Sequence, residues 1–256
     1  MSMSGLTRTL VALVAATALA LSAAPSQARS EADGPDYGAP RIGACSTLTL
    51  KQAYAPVDKS TVVPCSKAHT AKVAGVVTLP DSLSYSSDVA KLDRVIEKEC
   101  IPQVNAMLGR NFAVRDSSAY SSMWFTPSKN QQDHGARWLS CSIVLLQGYK
   151  LAKLPTNKVP MLPSGKLGDA VHRCLLADTA HNYVTTCASK HGWRATGSFV
   201  VASKKFPGAR TLNRLARTKC VSRVQKGKPY RWTYWTGHGW VLTGDHVVTC
   251  YSKTTR

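Results

Sequence analysis

Two histidines stand in the same local pattern at two places in the chain. Cys65-Ser66-Lys67-Ala68-His69 is followed by Lys72 and Gly75, and Cys187-Ala188-Ser189-Lys190-His191 by Arg194 and Gly197. Both stretches read Cys-x-x-x-His-x-x-basic-x-x-Gly. His69 and His191 are therefore candidates for contacting a ligand. The plainer alternative is a structural histidine that bonds backbone beside a disulfide. A zinc centre is the sharpest version, because His172, Cys174, Cys187 and His191 are all ligand types. Their spacing fits no compact zinc pattern, and the matching cysteines of the first stretch read as disulfides, so no metal and no cofactor are expected.

A second constellation is basic and aromatic. Arg210, Arg214 and Arg217 recur at i, i+4 and i+7, which is one face of a helix, and Arg223, Lys226, Lys228 and Arg231 extend the run. Tyr230-Arg231-Trp232-Thr233-Tyr234-Trp235 lies beside it, with Trp240 beyond a Thr236-Gly237-His238-Gly239 turn. On a strand, Tyr230, Trp232 and Tyr234 share one face. Arginines bind anions, and aromatic faces stack on sugars or bases. The alternatives are a solvated helix face and rings that fill a small core. Trp124 holds a place comparable to Trp235, which favours core for Trp235.

Hydrolytic signatures are missing. The chain has no Gly-x-Ser-x-Gly elbow, no His-Glu-x-x-His and no glycine-rich phosphate loop. From residue 168 onward the acids are Asp169, Asp178 and Asp245. Asp169 and Asp245 are a weak candidate carboxylate pair. Asp245-His246 is a poor dyad, since neighbours on a strand point to opposite faces.

The elements that must position these residues follow from the cysteines. Cys45, Cys65, Cys100 and Cys141 make one set of four, and Cys174, Cys187, Cys220 and Cys250 another. The second and third cysteines stand 35 residues apart in the first set and 33 in the second, and a glycine lies six residues before each last cysteine, Gly135 and Gly244. We read a tandem duplication. Residues 41–153 and 168–256 are the two units, joined by a proline-bearing linker at 154–167 and preceded by a flexible leader at 29–40. Strands are predicted over Val73–Leu79, Ala119–Phe125 and Arg137–Leu146. Their counterparts are Phe199–Ala202, Tyr230–Trp235 and His246–Tyr251. A helix capped by Ser87 runs through Val89, Leu92, Val95, Ile96 and Cys100, and its counterpart carries Leu212, Leu215, Ala216 and Cys220. The fold class is α+β: two small tandem domains, each one helix packed on an antiparallel sheet with two disulfides. Four cysteines allow three pairings per domain. We favour Cys45–Cys65, Cys100–Cys141, Cys174–Cys187 and Cys220–Cys250, which pins each helix to its final strand.

Arg8 followed by apolar Leu10–Ala24 and Ser26-Gln27-Ala28 reads as a secretory signal over 1–28, cleaved after Ala28. Export agrees with eight cysteines, which belong in an oxidising compartment. The whole chain carries 33 Lys+Arg against 14 Asp+Glu. The excess is uneven: 14 basic and 8 acidic residues in 41–153, but 15 and 3 in 168–256.

Val63-Pro64-Cys65-Ser66-Lys67-Ala68-His69, the run Val73–Pro80, and Gly135-Ala136-Arg137-Trp138-Leu139-Ser140-Cys141 resemble the septum-formation domain of actinobacterial secreted and membrane proteins. The resemblance spans most of 41–148 and, less closely, 168–252. It implies a link to cell division and no established chemistry. Two departures stand out. The resemblance calls for an acid three residues after the histidine, where this chain has Lys72 and Arg194. Its Gly-Asp-Arg signature is split here between Gly135-Ala136-Arg137 and Gly244-Asp245-His246, which argues against a catalytic Asp–Arg pair.

The reading is a non-catalytic, secreted protein of the cell envelope, linked to septum formation. Its second domain contacts an anionic wall polymer or membrane surface through Arg210, Arg214, Arg217, Arg223, Arg231, Tyr230, Trp232 and Tyr234. Nucleic acid is a less favoured partner. One alternative is an extracellular hydrolase of wall polymer or nucleic acid. Another is a protein-interaction module for a division or wall enzyme.

Overall fold

The computed structural model describes residues 33–83, 85, 89–109, 111–155, 158–177, 181–244 and 246–254. The signal segment, Ser87, Asp178 and Asp245 lie outside the described residues.

The first half forms an antiparallel sheet of β1 (Cys45–Thr47), β2 (Thr61–Val63), β3 (Ala71–Thr78), β4 (Tyr120–Phe125), β5 (Trp138–Gln147) and β6 (Lys150–Ala152). Its order is β2-β1-β3-β5-β4, with β6 hairpinned onto β5. The second half contributes β7 (Arg173–Leu175), β8 (Val184–Thr186), β9 (Trp193–Val200), β10 (Tyr230–Tyr234) and β11 (Val247–Lys253), in the order β8-β7-β9-β11-β10. Strand for strand the two orders are the same.

β5 is the central strand, and its side chains alternate between two cores, as a pleated strand requires. Leu139, Cys141, Ile143 and Leu145 face the helix side, while Val144 faces Phe125, Met123 and Leu48 on the other. The helix side is covered by α2 (Val89–Val95) and α3 (Ile101–Leu108), continuous through a π turn at Ile96–Cys100. Pro102 explains that turn. It has no N–H to donate, and its ring crowds the carbonyl four residues back, so the helix widens and the Ile101 N–H reaches Ile96 O. Ile96, Cys100, Val104 and Leu108 still recur on one buried face. Short helices α1 (Leu50–Ala53), α4 (Phe112–Asp116) and α5 (Lys129–Asp133) fill connections. In the second half α6 (Ala209–Lys219) covers the sheet through Leu212, Ala216 and Cys220, packed on Phe199, Val248 and Trp240. α7 (Gly237–Thr243) follows.

All four disulfides pair as favoured. Their placement explains the repeated motif. Cys45 of β1 sits opposite Lys72, and Cys174 of β7 opposite Arg194. Gly75 sits opposite Cys141, and Gly197 opposite Cys250. A β-carbon at Gly75 would collide with the Gln103 side chain, and one at Gly197 would stand 3.0 Å from Arg223 Cβ. The motif glycine thus clears the strand surface beside the helix-to-strand disulfide.

Several expectations need correction. Residues 33–40 are not a flexible leader. Gly34 N donates to His134 O, Arg137 N to Pro35 O, and Trp138 Nε1 to Tyr37 O, and Tyr37 stacks on His134. Within the 154–167 linker, Leu154, Met161, Leu162 and Leu167 are buried in the first half's core, and Met161 N and Leu162 N donate to Met107 O and Leu108 O. Its prolines interrupt regular structure without preventing apolar burial. The strand placed at Phe199–Ala202 begins earlier, at Trp193, because alternation across Gly197 masks it in sequence. The turn expected before Trp240 is instead the first turn of α7.

Breaking Cys220–Cys250 by a double Cys→Ser change is expected to lower stability by about 2–5 kcal/mol, read as a drop in denaturant midpoint. Gly192→Ala is expected to cost about 1–3 kcal/mol by overpacking. Its β-carbon would stand 2.5 Å from Ala177 Cα, an atom of the backbone that cannot swing away.

Candidate functional site

α6 is amphipathic to an unusual degree of charge. Leu212, Ala216 and Cys220 are buried, and Arg210, Arg214 and Arg217 stand exposed on the opposite face. None of these three guanidinium groups has an acidic partner among the described residues, in contrast to Arg137, which pairs with Asp81, and Arg194, which pairs with Asp169. The neighbouring bases serve other ends. Arg223 donates from Nε to Ser198 O (3.1 Å) and from Nη1 to Lys219 O (2.7 Å), and its guanidinium lies 5.5 Å from the Phe199 ring centre. It ties the end of α6 to β9. Arg231 lies over Trp193 and bonds Asn182 Oδ1.

Tyr230, Trp232 and Tyr234 do share one face of β10, but that face meets α6. Trp232 Nε1 and Tyr234 Oη both donate to Asn213 Oδ1 at 2.9 Å, and Tyr230 Oη donates to Arg217 O. The rings are half-buried packing between strand and helix, separated from the exposed arginine face by α6 itself. Trp235 and Trp240 exchange their expected places. Trp240 is buried within α7 and donates to Ser203 O, whereas Trp235 is 55% exposed and Trp124 is 38% exposed.

His69 and His191 are buried at 3% and 2% exposure. In each, Nδ1 lies 2.7 Å from the carbonyl oxygen two residues earlier, Lys67 O and Ser189 O. Both rings lock the turn that enters β3 or β9. Cys174 Sγ, Cys187 Sγ and His191 cluster within 4.8 Å of one another, but the two sulfurs are joined to each other. His172 belongs to a different group. Arg194 Nη2 lies 2.6 Å from His172 Nδ1, and Arg194 Nη1 lies 2.7 Å from Asp169 Oδ1. Asp169 is therefore committed to Arg194. Arg137 is similarly engaged, by Asp81 and by Pro80 O.

The signal that sequence reasoning missed is a cleft where the halves meet. A cavity of about 550 Å³ opens between α1, β4, the α2–α3 helix and the start of α7. Trp124 comes from one half and Trp235 from the other, with Leu92, Ile96 and Met123 between them. The halves are joined beneath it. Ser118 bridges His172, Ala119 N donates to Val171 O, and Thr249 Oγ1 donates to Asp116. Two widely separated tryptophans gave no local pattern to read.

Burial, reinforced by the adjacent Arg194 charge, pulls the His172 pKa from 6.5 down to about 4. A depressed histidine pKa means the folded protein refuses a proton that the unfolded chain accepts. Its contribution is thus intact above about pH 6.5 and is lost as pH falls toward about 4. His172→Gln is expected to flatten that acid limb in a melting-temperature profile, with little change at pH above neutrality.

Comparison with curated proteins and with solved structures returns no match. The family model described as septum formation matches residues 43–250, in one continuous span that runs through both halves. No helix among the described residues is long and apolar enough to cross a membrane. That match, over most of the chain, shows that it belongs to the septum formation family.

Proposed function

We propose that the protein is a secreted, non-catalytic component of the cell envelope that acts in division by holding an anionic polymer or membrane surface. The observation that carries this reading is the exposed arginine face of α6, with no acid set against it. Surface charges on helices ordinarily alternate in sign; three like charges on one face attract polyanions and raise encounter rates. Four disulfides and the signal-like first 28 residues support an extracytoplasmic site. The family's link to septum formation supports the setting. The repeated strand order supports one duplicated unit, of which the second copy has become the more basic.

The test is co-sedimentation of the disulfide-bonded protein with purified cell wall and with anionic vesicles across a salt titration. Binding is expected to weaken steeply as salt screens the contact. Reversing Arg210, Arg214 and Arg217 to Glu is expected to abolish retention while the melting temperature changes little, because none of the three packs in the core. Retention that survives the reversal would reduce the face to a solvated surface. No retention at low salt would transfer the role to a protein partner.

A further inference from the structure

The cleft between the halves is separate from the α6 face, and its chemistry differs. Its wall is mostly apolar, and its volume of about 550 Å³ lies within the range of small-ligand sites. It follows the α2–α3 helix, where Leu92, Ile96 and Ile101 line it in turn. At Ile101, Ser121, Ser122 and Trp235 it adjoins a narrower cavity of about 100 Å³, which continues along α3 past Val104 and Leu108. The π turn lies in this wall, and such turns recur at binding sites.

The two ends carry different charge. Asp93 lines the wide end. The narrow end is bounded by Arg115, Arg173 and Asp116. Arg115 is steadied by Gly109 O and Arg173 by Ser118 O, and Asp116 accepts from Thr249 of the other half. From Asp93 to Asn105, which also lines the narrow end, the helix rises about 18 Å at about 1.5 Å per residue. A mostly apolar cavity beside Asp93 that adjoins a smaller, more polar one beside Arg115 and Arg173 would select both a molecule and its direction. We propose that this cleft binds an amphiphile with a single apolar chain and an anionic head. The chain lies between Trp124 and Trp235, and the carboxylate or phosphate lies toward Arg115 and Arg173. The exposed faces of the two tryptophans are the walls that the chain covers.

Tryptophan fluorescence reads this directly. The full disulfide-bonded protein is titrated with dodecanoate, dodecyl phosphate, dodecanol and dodecyltrimethylammonium, each below its micelle concentration, and with a brominated fatty acid as quencher. Saturable quenching by the brominated acid is expected, competed by dodecanoate or dodecyl phosphate; the stronger of these identifies carboxylate or phosphate as the head. The alcohol is expected to compete at least about tenfold more weakly, equivalent to about 1.4 kcal/mol, and the cation more weakly still. Leu92→Trp, which fills the wide end, is expected to abolish quenching. Arg115→Gln is expected to bring the anionic probes down to the level of dodecanol. The α6 triple reversal is expected to leave all of these values unchanged, which separates this site from the envelope contact. The wild-type ranking of head charges needs no variant to fold. Quenching that never saturates, or equal competition by cationic and anionic heads, would overturn the proposal. So would an apolar peptide that competes where the anionic amphiphiles do not.

Discussion

A helix is held against the last long strand of each sheet by a disulfide that needs a glycine beside it. Cys100 joins Cys141 and Cys220 joins Cys250, and in both places the residue paired with the strand cysteine on one side, from β3 or β9, is glycine, Gly75 or Gly197. A side chain there would meet Gln103 or the stem of Arg223, so the helix would have to lift from the sheet. Half-domains of this size bury limited apolar area, and a covalent tie removes unfolded-state entropy that such a core does not offset by itself. Everything else in each half is arranged around that tie.

The second disulfide works at the opposite edge. Cys45–Cys65 and Cys174–Cys187 each fasten the first strand to the turn after the second. The histidine four residues on is spent inside the turn, bonding backbone. The basic residue three further on lies opposite the first strand's cysteine, where Lys72 is buried with a lowered pKa and Arg194 answers Asp169 and His172. A motif that looks chemical in sequence is therefore a folding device. The Nδ1 side of each histidine is engaged with backbone, while His69 Nε2 is buried without a hydrogen-bond partner among the described residues.

Cysteine order made the two sets of four legible, but each set allows three pairings and spacing does not choose among them; the favoured pairing is the one formed. Hydrophobic periodicity found the helix through Ile96 and Cys100 but not its continuation, since Pro102 ordinarily ends a helix and here only widens it. The tyrosines and tryptophan of β10 were assigned correctly to one face, but which neighbour that face meets is a tertiary fact. Asn213, which takes hydrogen bonds from both Trp232 and Tyr234, carried no signal in sequence at all. The Pro- and Gly-rich leader misled at 33–40: long regular elements are absent there, yet Gly34 N and Pro35 O find partners in His134 and Arg137 of the first half.

The joint between the halves is where architecture becomes opportunity. Hydrogen bonds fix the relative position of the two sheets through Ser118, Ala119, Asp116 and Gln147 on one side, and His172, Val171, Thr249 and Ser189 on the other. The backbone contacts among these, Ser118 with His172 and Ala119 with Val171, lie just before β4 and β7, while Thr249–Asp116 and Gln147–Ser189 are side-chain bonds. α7 of the second half packs against the π turn of the first half's helix. Trp235, just past the edge strand β10, therefore faces the helix of the other half rather than its own core. Two similar halves, each folded around its own disulfides, thus create between them an apolar channel that neither contains alone, while the arginine face of α6 is built by one half without the other.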